Sequence, residues 1–148
     1  MKAAAPFALI IDDQQGVCRT IAVVLDALGV ESASYQTASS AIDALDQRQP
    51  DIIFLDMSLE QSDAIDVMKG LSVKHYTGIV QLMSGGKLPL LDAVQRIGAR
   101  NGLVLLPPLQ KPFRGDAIRA VIASAGLAGG APSPPKPQLC AINDRGSD

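Results

Sequence analysis

Three carboxylates, Asp12, Asp13 and Asp56, each come at the end of a short apolar run of the sequence. Continuous apolar runs of this length are typical of parallel strands that are buried on both faces. In an α/β sheet the carboxyl ends of such strands form the edge where ligands bind. Taken alone, Asp56 is better explained as the residue that ends its strand and begins a turn. Together, the three residues predict an acidic site at one edge of a sheet.

This acidic site requires a positive charge. Two unit charges about 4 Å apart repel each other by roughly 4 kcal/mol at an effective dielectric constant near 20. The carboxylates must therefore meet a cation or retain a proton. Oxygen ligands without a nearby His or Cys favour Mg²⁺, which usually combines one or two carboxylates with water and a phosphate oxygen. The pattern therefore predicts a Mg²⁺ site.

Two further polar residues are predicted at the same edge. Ser84 follows the apolar run 78–83, and Lys111 opens the triplet Lys111-Pro112-Phe113 after the run 102–106. A hydroxyl and an ammonium group suit the oxygens of a phosphate. Each feature also has an ordinary explanation: serine favours turns, lysine favours the surface, and adjacent aspartates favour the start of a helix. Their occurrence in order at four strand ends favours a single site.

The apolar pattern predicts a doubly wound α/β fold, in which a five-stranded parallel sheet of order 2-1-3-4-5 is flanked by five helices. The crossovers between parallel strands should be right-handed. Continuous or alternating apolar residues place the strands at 7–11, 30–36, 51–56, 78–83 and 102–106. Apolar residues at helical spacing place the helices at 16–28, 38–45, 65–71, 90–97 and 118–125. Thr37 or Ser39 is the expected N-cap of the second helix.

Prolines limit two parts of the chain. Pro107 and Pro108 have no N–H, so the fifth strand must lie at an edge of the sheet or end before them. Beyond Gly126, two glycines and a run of prolines predict a semi-rigid, extended linker. We therefore predict one domain over 6–126 and a Pro/Gly-rich linker or disordered tail over 127–148.

Composition excludes several classes of function. The 148 residues can bury a core that needs no metal or disulfide to fold. Aromatic residues make up 3% of the chain and the net charge is −2, so direct nucleic-acid binding is not expected. No apolar run approaches the roughly 20 residues of a membrane helix. We expect a cytoplasmic protein whose partner is another protein or a small ion.

The order of these motifs resembles the receiver domain of bacterial two-component response regulators. The resemblance extends from Phe7 to Ala125 and implies a flavodoxin-like fold. It also implies that an aspartate takes a phosphoryl group from a phosphohistidine and becomes an acyl phosphate. The motifs that carry it are Asp12-Asp13, Asp56 in DIIFLDMSL, Ser84 in LMSGG, and Lys111-Pro112-Phe113.

The resemblance implies a role for each motif residue. Asp56 would be the nucleophile that becomes phosphorylated. Asp13 and Asp56 would bind Mg²⁺ directly together with the backbone carbonyl of Ser58, whereas Asp12 would act through water. Lys111 would neutralise the phosphoryl oxygens on the side away from the metal.

Three further expectations follow from the same resemblance. Ser84 would donate its hydroxyl to the phosphoryl group, and the Gly85 N–H would add a second donor. The peptide bond between Lys111 and Pro112 would be cis. The phosphoryl donor would be a histidine kinase or a histidine phosphotransfer protein, and a second copy of the chain is a further expected partner.

The sequence also departs from the family pattern. Receivers generally carry an aromatic residue shortly before the lysine, whereas residues 106–110 contain none. The segment from Ile97 to Lys111 is longer than usual, and the proline that often follows the phosphorylated strand is missing around Glu60. The ending LQKPF resembles receivers fused to cyclic di-GMP phosphodiesterase domains, which implies such a C-terminal output domain.

Two other functions are compatible with parts of the pattern. A non-switching pseudo-receiver would keep the fold as an interaction module, and the missing aromatic residue favours it. A phosphatase of the haloacid dehalogenase type also uses an aspartyl phosphate. That class places Asp-x-Asp on the first strand, whereas this chain has an adjacent pair there and its expected nucleophile on the third strand.

Overall fold

The computed structural model describes residues 5–57, 63–85 and 91–127. Its strands are Phe7–Ile11 (β1), Glu31–Tyr35 (β2), Ile52–Asp56 (β3), Ile79–Ser84 (β4) and Val104–Gln110 (β5). Its helices are Gln15–Ala27 (α1), Ala38–Ala44 (α2), Asp63–Val73 (α3), Leu91–Arg100 (α4) and Gly115–Ala125 (α5). All neighbouring strands are parallel, in the order β2-β1-β3-β4-β5. The predicted fold class is confirmed.

The central strands β1 and β3 are buried along their whole length, as their continuous apolar runs predict. Successive side chains point to opposite faces of the sheet, so the core has two layers. Leu9 and Ile11 pack with α2, α3 and α4 on one face. Ala8 and Ile10 pack with α1 and α5 on the other face. Both faces of these central strands are therefore covered, and a functional group on β1 or β3 can reach solvent only at the end of its strand.

Local signals fix the helix ends. Thr37, one of the two residues expected to cap α2, accepts a hydrogen bond from the Ser40 N–H at 3.3 Å. Gly29, after α1, and Gly126, after α5, adopt φ angles of 78° and 72°, which favour glycine.

None of the helices in the described part of the chain is long and apolar enough to cross a membrane.

Strand β5 lies at the edge of the sheet, as its prolines require, but it does not end before them. It continues through Pro107 and Pro108 to Gln110, so the edge position, one of the two expectations, is the one confirmed. The observed bounds Val104–Gln110 differ from the predicted 102–106. The pairing between β4 and β5 shifts between Gln81 and Met83, so the prolines lie in an irregular part of the ladder. This irregularity is how a strand can contain two residues that lack an N–H.

The contact between α4 and β5 gives a test of the packing. A Cβ atom added at Gly98 would lie 2.6 Å from Leu105 Cδ1, whereas one added at Gly16 would meet no atom within 4 Å. Gly98→Ala should lower the free energy of unfolding by about 1 kcal/mol, because overpacking costs more than the improved helix propensity returns. Gly16→Ala is the matched control and should leave stability equal or slightly higher. Urea unfolding with unchanged m-values would measure both, and equal effects would contradict this packing.

Candidate functional site

The carboxylates meet where β1 and β3 end. Asp12 follows β1 directly and Asp56 is the last residue of β3, and these two strands are neighbours in the sheet. Asp12 and Asp56 are 0% and 1% exposed, whereas Asp13 is exposed. One carboxylate oxygen from each of the three residues lies within 4.8 Å of the others. The structure thus brings together the acidic cluster that the sequence predicted.

Lys111 joins this cluster from the end of β5. Its Nζ lies 2.7 Å from Asp12 Oδ2 and 3.4 Å from Asp56 Oδ2. Its backbone N–H donates to the carbonyl of Ser84 at 2.7 Å, and the bond to Pro112 is cis. Its side chain is 12% exposed, so solvent screens these ion pairs only partly. Among the described residues, the Lys111 ammonium is the one cation paired with this cluster, so the three carboxylates and the ammonium together carry a formal charge of −3 + 1 = −2.

Gln14 is a part of the site that the sequence analysis did not identify. Its N–H donates to Asp12 Oδ1 at 2.8 Å, and its side-chain carbonyl accepts a hydrogen bond from Lys111 Nζ at 3.3 Å. Gln14 therefore contacts both a carboxylate, that of Asp12, and the ammonium of Lys111. Its position directly after the acidic pair was the available signal, but a glutamine at a helix start has no distinctive pattern. Gln14 also lines a cleft of about 470 Å³ beside Lys111, together with Gly85 and Phe113.

Ser84 ends β4, which is the neighbour of β3 in the sheet. Asp56 pairs with Met83 in the sheet, so Ser84 lies one residue beyond the partner of Asp56. Ser84 is 2% exposed, whereas the following Gly85 is exposed. The hydroxyl and the next backbone N–H are thus near the end of β3. Ser58, the remaining predicted metal ligand, lies outside the described residues, as does Glu60.

The donor set fits a hard divalent cation. Within the described ranges, no donor forms a well-angled hydrogen bond to Asp12 Oδ2, and only the Lys111 ammonium balances its charge. All three side chains of the cluster offer oxygen, the ligand type that Mg²⁺ prefers. A divalent cation would offset the remaining charge of −2. The residues present therefore fit Mg²⁺.

Cys18 lies just below the acidic cluster. Its thiol is buried and donates a hydrogen bond to the backbone carbonyl of Asp12 at 3.4 Å. Burial, and secondarily the Asp12 carboxylate, raise the pKa of the Cys18 thiol. The thiol therefore stays protonated at neutral pH, because a thiolate would need a lowered pKa to form there. Through this hydrogen bond Cys18 supports the end of β1, and its raised pKa does not favour a nucleophilic role.

Magnesium should stabilise the folded protein. A ligand that binds only the folded state adds about 1.4 kcal/mol at ten times its Kd, so the melting temperature should rise with Mg²⁺ concentration. Asp13→Asn should remove most of this rise, because it removes one of the clustered carboxylates. Asp46→Asn is the control, since Asp46 pairs with Lys74 on the surface. A wild-type melting temperature that does not respond to Mg²⁺ would contradict the metal site.

Comparisons with known proteins agree with this geometry. Sporulation initiation phosphotransferase F of Bacillus subtilis (strain 168) is 28% identical over 115 residues, which cover 77% of this chain and 88% of that protein. Transcriptional regulatory protein KdpE of Mycobacterium tuberculosis (strain ATCC 25618 / H37Rv) is 32% identical over 121 residues, or 79% of this chain and 49% of KdpE.

Solved structures of response regulators are also similar to this chain. A response regulator receiver protein from Burkholderia phymatum is 25% identical with a TM-score of 0.63, over 85% of this chain and 99% of that chain. NtrX from Brucella abortus is 27% identical with a TM-score of 0.67, over 82% of this chain but only 27% of NtrX. This chain therefore spans about half of KdpE and about a quarter of NtrX.

The family comparison covers nearly all of the described fold. The model of the response regulator receiver domain matches residues 8–123, which run from β1 into α5. The predicted resemblance is confirmed, and it includes each of the strand ends described above. This chain belongs to the family of response regulator receiver domains.

Proposed function

We propose that this protein is the phosphoacceptor domain of a two-component phosphorelay and is phosphorylated on Asp56 with Mg²⁺. The phosphoryl donor would be a histidine kinase or a histidine phosphotransfer protein. The observation that carries the proposal is the Lys111 ammonium, which lies against Asp12 and Asp56 at the edge of the sheet. The name of the relative sporulation initiation phosphotransferase F also supports phosphoryl transfer.

Asp56 is the proposed nucleophile because it is the buried carboxylate nearest the middle of the sheet edge. One of its oxygens attacks the phosphorus of a phosphohistidine. The O–P bond forms as the P–N bond breaks, and the electron pair of that bond stays on the imidazole nitrogen. When bound, Mg²⁺ would neutralise negative charge on the carboxylates and on the transferred group. Asp12, Asp13 and the carbonyl of Ser58 are the other residues that would hold it.

Three groups on β4 and β5 would bind the phosphoryl oxygens. The Lys111 Nζ lies 3.4 Å from Asp56 Oδ2, so a small movement would bring the ammonium to an oxygen of a phosphoryl group bonded to Asp56. Ser84 and the Gly85 N–H would donate hydrogen bonds from the neighbouring strand end. All of these groups belong to this chain. We therefore expect it to catalyse its own phosphorylation from a small donor, and its own dephosphorylation, without being a turnover enzyme.

The proposed output is a change of the surface formed by α4, β5 and α5. Moving a two-state equilibrium from 1:99 to 99:1 takes about 5.5 kcal/mol of differential stabilisation. Receivers generally carry an aromatic residue shortly before the lysine, whereas residues 106–110 contain none. The proposed change of the surface therefore does not use an aromatic side chain at this position. A fused cyclic di-GMP phosphodiesterase or a second copy of the chain are the proposed recipients of the signal.

A non-switching pseudo-receiver is the second candidate function. The missing aromatic residue in 106–110 favours it, because the fold would then serve only as an interaction module. The complete acidic cluster and the Lys111 ion pairs oppose it, because an interaction module does not need buried charges, which are costly to maintain. Phosphorylation separates the two functions.

Intact mass after incubation with acetyl phosphate tests the proposal. With Mg²⁺, the protein should gain one phosphoryl group, and EDTA should prevent the gain because the carboxylates then repel the donor. Circular dichroism would show that the fold is the same in both samples. A folded protein that binds Mg²⁺ but gains no phosphoryl group would contradict the proposal and favour the pseudo-receiver.

A further inference from the structure

Gln81 is a buried polar residue in the middle of β4. It is 1% exposed, and the adjacent residues Val80 and Leu82 are fully buried hydrophobic residues. A buried amide is costly unless it is hydrogen bonded. Its Nε2 donates to the carbonyl of Leu82 at 2.9 Å and to the carbonyl of Pro107 at 2.7 Å. This one amide therefore connects β4 to β5.

The amide meets β5 at the point where the strand has two consecutive residues without an N–H, Pro107 and Pro108. Gln81 lies opposite Leu106, whereas Met83 lies opposite Leu109. Two residues of β5 thus oppose one residue of β4, which defines a β-bulge. The Gln81 side chain supplies a donor to this bulge from the partner strand.

The bulge changes which side chains face the core. Leu106 and Leu109 both pack against the layer that contains α1 and α5. They are three residues apart, so regular alternation would place them on opposite faces of the sheet. The bulge is therefore built into the packing of β5.

The same bulge sets the position of Lys111. Beyond it, Ser84 pairs with Gln110, and the Lys111 N–H donates to the Ser84 carbonyl at 2.7 Å. Continuing the register of Ile79 with Val104 would instead place Ser84 opposite Leu109, one residue earlier. A slip of one residue moves the chain by about 3.3 Å and turns side chains to the other face. The Lys111 ammonium would then leave the carboxylates.

We propose that Gln81 is a positioning residue for Lys111. By holding the bulge at Pro107, it fixes the register that brings the ammonium to Asp12 and Asp56. Gln81 itself touches neither carboxylate and acts through β5. The catalytic consequence rests on the proposed function of the site, whereas the effect on the β5 register does not.

Amide hydrogen exchange tests the effect on register directly. Gln81→Met has nearly the same length but no donor, so the Lys111 N–H should exchange about tenfold faster or more. The Val104 N–H, bonded to Gly78 O at 3.1 Å before the bulge, is the internal control and should be unchanged. Gln81→Asn keeps a buried amide that is one methylene too short, and it serves if the Met variant does not fold. Unchanged exchange at Lys111, or equal acceleration at both positions, would overturn the proposal.

Phosphorylation kinetics test the catalytic consequence. With acetyl phosphate, Gln81→Met should slow phosphorylation about tenfold or more, since a misplacement of about 1 Å can cost up to 100-fold. Mg²⁺ affinity should not fall, because an ammonium that leaves the carboxylates makes the cluster more negative, as in Lys111→Ala. Gln81→Met should have no further effect on the rate in a Lys111→Ala background. The same slowing in that background, or a parallel loss of Mg²⁺ affinity, would overturn the positioning role. If the wild type takes no phosphoryl group, the proposed function fails, and the exchange experiment still decides the register.

Discussion

Asp56→Asn is expected to abolish the Mg²⁺-dependent gain of a phosphoryl group. The amide cannot act as the anionic nucleophile, and Asp56 is the carboxylate that β3 itself contributes to the site. The fold should be retained, because Asn has nearly the same volume and the substitution removes one of three mutually repelling charges. Intact mass after incubation with acetyl phosphate measures the loss.

Asp51→Asn is the matched control for this prediction. Asp51 lies at the other end of the same strand, where its carboxylate accepts a hydrogen bond from the Phe7 N–H at 2.8 Å. This variant should be phosphorylated like the wild type, with at most a small loss of stability. Phosphorylation of Asp56→Asn at the wild-type level would show that the acceptor is a different residue.

Lys111→Ala is expected to slow phosphorylation by about 100-fold or more, which is the typical cost of losing one group that binds the charged oxygens in a transition state. The same variant should bind Mg²⁺ more tightly, because the formal charge of the cluster changes from −2 to −3. Without Mg²⁺ it should also be less stable, since two buried carboxylates lose their ion-pair partner. Calorimetry and initial rates with acetyl phosphate measure these opposite effects.

Lys74→Ala is the control for the loss of a lysine charge. Lys74 pairs with Asp46 at 2.7 Å on the surface, so its removal should change stability, Mg²⁺ affinity and rate only slightly. If Lys111→Ala weakened Mg²⁺ binding, the ammonium would have to support the metal site rather than compete with it. That outcome would contradict the electrostatic account of the cluster.

The fold and most of the site follow from local signals in the sequence. Continuous apolar runs predict β1 and β3, and the charged residues that end them identify the edge. The charged residues of the site meet because the strand order places their strand ends together; they are Asp12, Asp13, Asp56 and Lys111. The sequence could predict this order because alternating strands and helices permit few topologies.

The features that the sequence did not predict depend on pairing between strands. The sequence predicted that β5 is an edge strand or ends before Pro107 and Pro108, and it did not predict that the strand continues to Gln110. The Gln81 amide on β4 shows how the strand continues through the prolines. A polar residue inside the apolar run 78–83 was the available signal. Gln14 was missed for a similar reason, because its partner Lys111 is far away in the sequence.

Chemical mapping of the phosphorylated residue tests the central claim most directly. Borohydride reduces an acyl phosphate of aspartate to homoserine, and peptide mass spectrometry then locates the modified position. After treatment with acetyl phosphate and Mg²⁺, we expect homoserine at position 56 and unchanged aspartate at Asp12, Asp13 and Asp51. Homoserine at one of those other positions, or a phosphoryl group that survives borohydride on a serine, would contradict the account.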